Sequence, residues 1–197
     1  MQKYVITIAR QFGSLGRPIA MEMAKILGIE YYDRDIVDTA AKKTGLPISA
    51  VSNVEESARP GFFRMMFPLG QSNIQAQNHI FNTQREIILN LADRESCIIV
   101  GRCSDYILEG TRNHLRIYIY ASYEKRLHNC IKTLNMEKEE AKRMIREVDK
   151  ARDDYHRRYA GFLPQDVNYK DILIDSSLFG EKGTAEYLAE LVRKRFV

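Results

Sequence analysis

Two glycines three positions apart, Gly13 and Gly16, are followed at once by Arg17 and Pro18. A glycine-rich turn can aim several backbone N–H groups at one point. A helix starting there adds the positive end of its dipole, so the pattern suits a phosphate. Set against the spacing G-x-x-x-x-G-K-[ST], Gln11 falls on the first Gly, Arg17 on the Lys and Pro18 on the hydroxyl residue. Arg17 can bind phosphate as a permanent cation with a planar fork. Pro18 suits a first helical turn, where its missing N–H costs little, but it offers a metal no hydroxyl. An ordinary β–α turn would use the same two glycines, and the loop alone does not choose between these readings.

Three other places carry charge in positions that invite chemistry. Asp33 and Arg34 follow the short apolar run 29–32, and the carboxyl ends of parallel strands are where open α/β sheets bind ligands. Asp33 is also a natural N-cap for a helix over 36–44, and the two roles are compatible. Arg102 follows the continuous apolar run 96–100. A guanidinium there needs a partner, either a carboxylate such as Asp105 or Glu109, or an anion at the edge that holds the glycine loop. Lys150 and Arg152 lie late in a charged helix, just before Gly161-Phe162-Leu163-Pro164. They belong either to a solvated face laced with i,i+4 ion pairs or to a lid that brings cations to a ligand.

The elements that must position these groups are readable from periodicity. The run 4–8 is β-branched and short enough for one buried strand. Ile19, Met23, Ile26 and Leu27 then recur at helical spacing until Gly28 offers a stop. Helical period returns over 74–94. Strands are predicted at 29–32, 96–100, 115–120 and 171–174, with helices after Ser122, after Asn135 and over 184–195. Strands separated by helices throughout predict a parallel α/β sheet of five strands in three layers. The stretch 45–70 is irregular, punctuated by Pro47, Pro60 and Pro68, with Phe62, Phe63, Met65, Met66 and Phe67 clustered. It reads as a lobe that folds over a substrate or as a self-packed surface loop or dimer contact.

Composition narrows the class further. A chain of 197 residues with 45% hydrophobic and 28% charged residues fits one soluble domain. The net charge of +4 comes from interleaved signs, which argues against nucleic acid as the partner. Cys97, Cys103 and Cys130 show no C-x-x-C spacing, so neither a disulfide framework nor a zinc site is expected. With no leader and no bilayer-length apolar run, a cytoplasmic protein without membrane contact is the expectation. Oligomeric state is not readable.

Five motifs occur in one order over nearly the whole chain: Ile8-Ala9-Arg10-Gln11-Phe12 with the glycine loop, Tyr31-Tyr32-Asp33-Arg34, Cys97-Ile98-Ile99-Val100-Gly101-Arg102, Asp149-Lys150-Ala151-Arg152 with Tyr155 and Tyr159, and Asn168-Tyr169 before Asp175-Ser176-Ser177. Together they resemble the cytidylate kinase-like family of P-loop proteins. The resemblance implies a three-layer α/β/α P-loop NTPase fold of the nucleoside monophosphate kinase type, a single domain with a substrate lobe at about 45–72 and a lid at about 149–165. It also implies transfer of a phosphoryl group from ATP, with Mg²⁺, to a small acceptor such as CMP or dCMP. Carried over by position, Gly13, Ser14, Leu15, Gly16 and Arg17 would hold the ATP phosphates, and Asp33, Arg34 and Arg102 the acceptor. Lys150 and Arg152 would neutralise the transferring group beside Arg17 and Arg102. The chain departs from the family pattern at the Lys-[ST] pair of the loop, and at Val100 and Cys103, where cytidylate kinases carry Asp. These departures leave the metal ligands unassigned, and a nucleotide-binding protein without phosphoryl transfer is the alternative.

Overall fold

The apolar runs become five parallel strands in the computed structural model, which describes residues 3–33 and 74–197. They are β1 (Val5–Arg10), β2 (Glu30–Tyr32), β3 (Cys97–Val100), β4 (His114–Tyr120) and β5 (Ile172–Asp175), in the order β2-β3-β1-β4-β5. Ile6 of β1 lies opposite Ile98 of β3 on one side and Leu115 of β4 on the other. The runs are continuously apolar because both faces of the sheet are covered. Alternate residues serve opposite cores. Ile6, Ile8, Ile98 and Val100 pack with Ile19 and Met23 of α1 (Gly16–Leu27) and Leu188 and Val192 of α6 (Gly180–Phe196). Val5, Cys97 and Ile99 pack with Phe81, Ile88 and Leu91 of α2 (Ile74–Arg94). Each fully buried Ile or Leu contributes about 1.5–3 kcal/mol of transfer free energy.

The remaining helices are α3 (Ser104–Ile107), α4 (Tyr123–Lys132) and α5 (Lys138–Ala160), with a 3₁₀ turn at Val167–Tyr169. A third core joins α4 and α5 to the glycine loop through Phe12, Cys130, Met144, Ile145 and Val148. Helix ends follow local chemistry. Gly28, at φ 65, closes α1 with its N–H turned back to the Ala24 and Lys25 carbonyls, and the Ser122 hydroxyl accepts from the Lys125 N–H at the start of α4. The helix expected directly after Asn135 starts later: Asn135 has φ 52 and turns the chain, and α5 begins only at Lys138. Residues 149–160 form the last turns of α5, and 161–165 the loop beyond it.

The chain leaves β1 toward β2 and β3 on one side, then crosses to β4 and β5 on the other. At such a switch point the loops diverge and open a crevice at the carboxyl edge of the central strand. The loop after β1 and the turn after β3 both emerge there. Arg34, the expected helix over 36–44 and the lobe at 45–72 lie outside the described residues. No described helix is long and apolar enough to cross a membrane.

Candidate functional site

A cavity of about 300 Å³ occupies the crevice, lined by the end of β1, the glycine loop, the first turn of α1, Asp33, the turn 101–105 and one face of α5. Four arginines line it, Arg10, Arg17, Arg102 and Arg152, together with Asp33 and Asp105.

The glycine loop is held from behind. Gly13 has φ 78, and a Cβ there would sit 2.8 Å from the Arg126 carbonyl oxygen, so only glycine fits. Asn129 of α4 donates to the Gly13 carbonyl at 2.9 Å, and the Phe12 N–H donates to Asp149 of α5 at 2.7 Å. Arg126 closes this brace by pairing with Asp149. Ser14 does not face the cavity with its hydroxyl: it is fully buried and donates to the Gln11 and Ile119 carbonyls at 2.9 and 3.1 Å. Leu15, at φ 60, precedes α1 without a side-chain cap, and no acidic residue sits in the first turn. The start of α1 thus has no side-chain cap from Leu15, and its first residues, Gly16 and Arg17, border the cavity.

The cations converge from four elements. Arg17 reaches across from α1 to Asp33 beyond β2, with Nε 2.8 Å from Oδ2. Arg10, the last residue of β1, approaches the other oxygen of Asp33 at 3.4 Å. The sequence leaves open whether Arg10 faces the phosphates or the core, and in the structure it lines the cavity. Its one signal was an Arg ending a buried strand beside the glycine loop. Its guanidinium lies where a side chain at Gly101 would have to be, so the missing Cβ there makes room for it. Gly101, Arg102 and Cys103 run at φ 78, 60 and 52, a left-handed turn that brings Arg102 to the cavity wall. Asp105, considered as its partner, is instead taken by His156 and Lys170. Arg152 donates from Nη1 to the Arg10 carbonyl at 3.0 Å. Lys150 is not brought in. It is 77% exposed and pairs with Asp154 at 2.7 Å, because two positions along a helix turn a side chain to the opposite face from Arg152.

The electrostatics describe a site short of negative charge. Burial lowers the Arg10 pKa. Asp33 and Tyr31 oppose that shift, and the charges of Arg102 and Arg17 add to it. Burial and then the neighbouring Arg10 charge lower the pKa of Arg152. Burial, followed by the Asp33 charge, raises the Tyr31 hydroxyl to about 12, which keeps it neutral. An anion with several oxygens would relieve the crowding of the guanidiniums.

The described donors fit a polyphosphate better than they fit a metal ion. Among the described residues no group of three His, Cys, Asp or Glu side chains could hold a metal ion. Pro18 has no hydroxyl, Val100 no carboxylate, and Asp33 is engaged by two arginines. The described residues therefore offer no all-protein metal cage, and a Mg²⁺ ion here would take most of its ligands from phosphate and water.

Known proteins match the chain over most of its length. The family described as the cytidylate kinase-like family matches residues 5–178. A cytidylate kinase of Methanopyrus kandleri is 25% identical over 193 residues, covering 93% of this chain and 90% of that protein. Among solved structures, an uncharacterized protein from Eubacterium ventriosum superposes with TM-score 0.70 at 22% identity, covering 98% of both chains. The shikimate kinase of Acinetobacter baumannii, in complex with shikimate, superposes with TM-score 0.54 at 14% identity, covering 100% of this chain and 96% of that one. At these identities the structural likenesses establish the P-loop kinase fold.

Proposed function

Because the chain belongs to the cytidylate kinase-like family, we propose that it transfers the γ-phosphoryl group of ATP to a small acceptor, a nucleoside monophosphate of the CMP or dCMP class. One observation carries this reading. Arg10, Arg17, Arg102 and Arg152 converge on one cavity that is bordered by the uncapped start of α1. Phosphoryl transfer suits such an inventory, since its catalysis is mainly positioning and charge stabilisation and needs no covalent nucleophile.

In this reading the glycine loop and the leading N–H groups of α1 hold the donor phosphates, as helix N-termini commonly do. Arg10 and Arg152, at the middle of the crevice, neutralise the transferring group. Arg102, and Arg17 with Asp33, grip the acceptor from the β2 and β3 side. Charge that develops on the transferring oxygens meets guanidiniums already in place, so little reorganisation accompanies the reaction. ATP supplies the phosphoryl group. No step is assigned to Mg²⁺, because the described residues offer it no all-protein cage.

The test is a coupled ADP-release assay with ATP and Mg²⁺ across CMP, dCMP, UMP and AMP. Acceptor-dependent turnover is expected, and Arg17→Ala and Arg102→Ala should each lower it by about 10²–10³-fold while the melting temperature stays nearly unchanged. Full activity in either variant would overturn the site assignment. Pro18 and Val100 favour a second reading, a nucleotide-binding protein that transfers nothing. Silence across the panel with ATP still raising the melting temperature selects that reading. Silence without ATP binding rejects the phosphate loop itself.

A further inference from the structure

Behind Arg102 lies a buried charged cluster that the proposed chemistry does not use. Asp105, in the single turn of α3, faces His156 of α5 and Lys170 of the segment that leads into β5. His156 Nε2 is 3.0 and 3.1 Å from the two Asp105 oxygens, and Lys170 Nζ is 2.6 Å from Oδ2. The side chains of Lys170, Asp105 and His156 are 0, 5 and 5% exposed. The other imidazole nitrogen, Nδ1, is 2.9 Å from the Phe162 carbonyl oxygen just past the end of α5. A carbonyl can only accept, so Nδ1 carries a proton, and a carboxylate on the other side asks the same of Nε2. The ring is then an imidazolium, and the cluster holds two positive charges against one negative.

Resting on the kinase reading, we propose that Asp105, His156 and Lys170 form a proton-dependent clamp that positions Arg102 at the anion site. Arg102 and Cys103 are non-glycine residues in the left-handed region, a conformation that persists only where the surroundings over-determine it. A four-residue helix cannot supply that constraint alone. The clamp ties α3 to the end of α5 and to the strand beyond it, and so fixes the turn from the far side. A neutral imidazole has one N–H, and must release either the Phe162 carbonyl or Asp105. Loss of the proton also removes a positive charge from the cavity wall, which both Asp105 and His156 line. Either effect weakens anion binding at Arg102.

Other groups facing the cluster do not titrate in the same range. Cys103 and Arg102 face it from the turn after β3, His114 and Arg116 from β4, and Tyr155 reaches the turn from α5. Burial pushes the Cys103 thiol and the Tyr155 hydroxyl well up, and burial holds His114 down at about 4. The Asp105 carboxylate is raised by burial, but the hydrogen bond and charge of His156 and the Lys170 ammonium outweigh this and hold it well below the usual range.

Sulfate is a suitable probe, because its charge is fixed where phosphate would titrate. Its affinity is measured from about pH 5 to about pH 9, which spans the ordinary histidine range, alongside ¹⁵N spectra of the histidine rings. The expected result is a doubly protonated His156 ring at the acid end and a sulfate affinity that falls at least about fivefold as that ring loses a proton. The fall should vanish in His156→Gln, which keeps a donor but no charge, and in Arg102→Ala. A His156 ring neutral throughout, which needs no variant to observe, or an unchanged pH profile in His156→Gln, overturns the clamp. Neither readout requires turnover. A flat sulfate profile in an enzyme that phosphorylates CMP rejects the clamp alone, whereas a positive result in a protein silent across the acceptor panel rejects the kinase reading alone.

Discussion

Two histidines in this protein have different hydrogen-bonding surroundings. His156 faces acceptors on both nitrogens. His114 has the Leu108 carbonyl 3.1 Å from Nδ1 and the Thr7 hydroxyl 2.7 Å from Nε2. A neutral ring satisfies both contacts, with Nδ1–H donating and Nε2 accepting from Thr7. Burial, helped by the Arg116 charge, lowers the His114 pKa from 6.5 to about 4. The unfolded chain therefore binds the extra proton first. Its stability contribution is whole above about pH 6.5 and is lost as the pH falls toward 4. The difference between 6.5 and about 4 corresponds to roughly 3.5 kcal/mol, at about 1.4 kcal/mol for each tenfold change in proton affinity. Denaturant titrations at pH 7 and pH 4.5 should show this loss in the wild type and a flatter response in His114→Asn. Equal slopes in the two proteins would mean that His114 is not held neutral. The depressed carboxyl of Asp105 acts in a lower window, below about pH 4, so the two contributions are separable.

At the scale of an element, α5 is instructive because its existence was legible and its orientation was not. Ala141, Met144, Ile145 and Val148 recur at helical spacing, and they do form its buried face. Which charged residues then turn toward the crevice depends on how the helix is rotated by the elements beneath it. Asp149 and Arg152 fall on the site side, bound to the Phe12 N–H and the Arg10 carbonyl, while Lys150 falls in solvent. Three adjacent charges in the sequence thus have different fates. Arg152→Ala should lower turnover by about 10²-fold or more, whereas Lys150→Ala should leave it within about twofold. Equal losses in the two variants would mean that α5 rotates or unwinds during the reaction. The bond from Arg152 to Arg10 also means that the last turns of α5 cannot swing away from β1 without breaking it.

For the molecule as a whole, the sheet was legible because strands covered on both faces are written as unbroken apolar runs, as in Ile6 to Ile8 and Cys97 to Val100. The site was legible only in part. Arg17 and Arg102 announced themselves by following a glycine loop or a buried strand. Arg10 did not, because a residue at the end of a central strand can face either core or crevice, and the space its guanidinium occupies is left by Gly101, 91 positions away. The alliance of Asp105 with His156 and Lys170 spans 51 and 65 positions and leaves no local pattern.

The pairing of Asp33 with Arg10 and Arg17 gives the anion site a counter-ion that is covalently part of the chain. Most cationic pockets attract mobile chloride and release it when a ligand enters, which makes their affinity fall as salt rises. Here the displaced ion cannot diffuse away, so entry of a phosphate resembles exchange on a resin whose own groups shift aside. The wild type should accordingly bind sulfate with a shallow dependence on ionic strength. Asp33→Asn should bind it more tightly at low salt and lose that advantage steeply as chloride is added. Parallel salt curves would show that Asp33 stays with its arginines when an anion is bound, and that the carboxylate belongs to the architecture of the site rather than to its traffic.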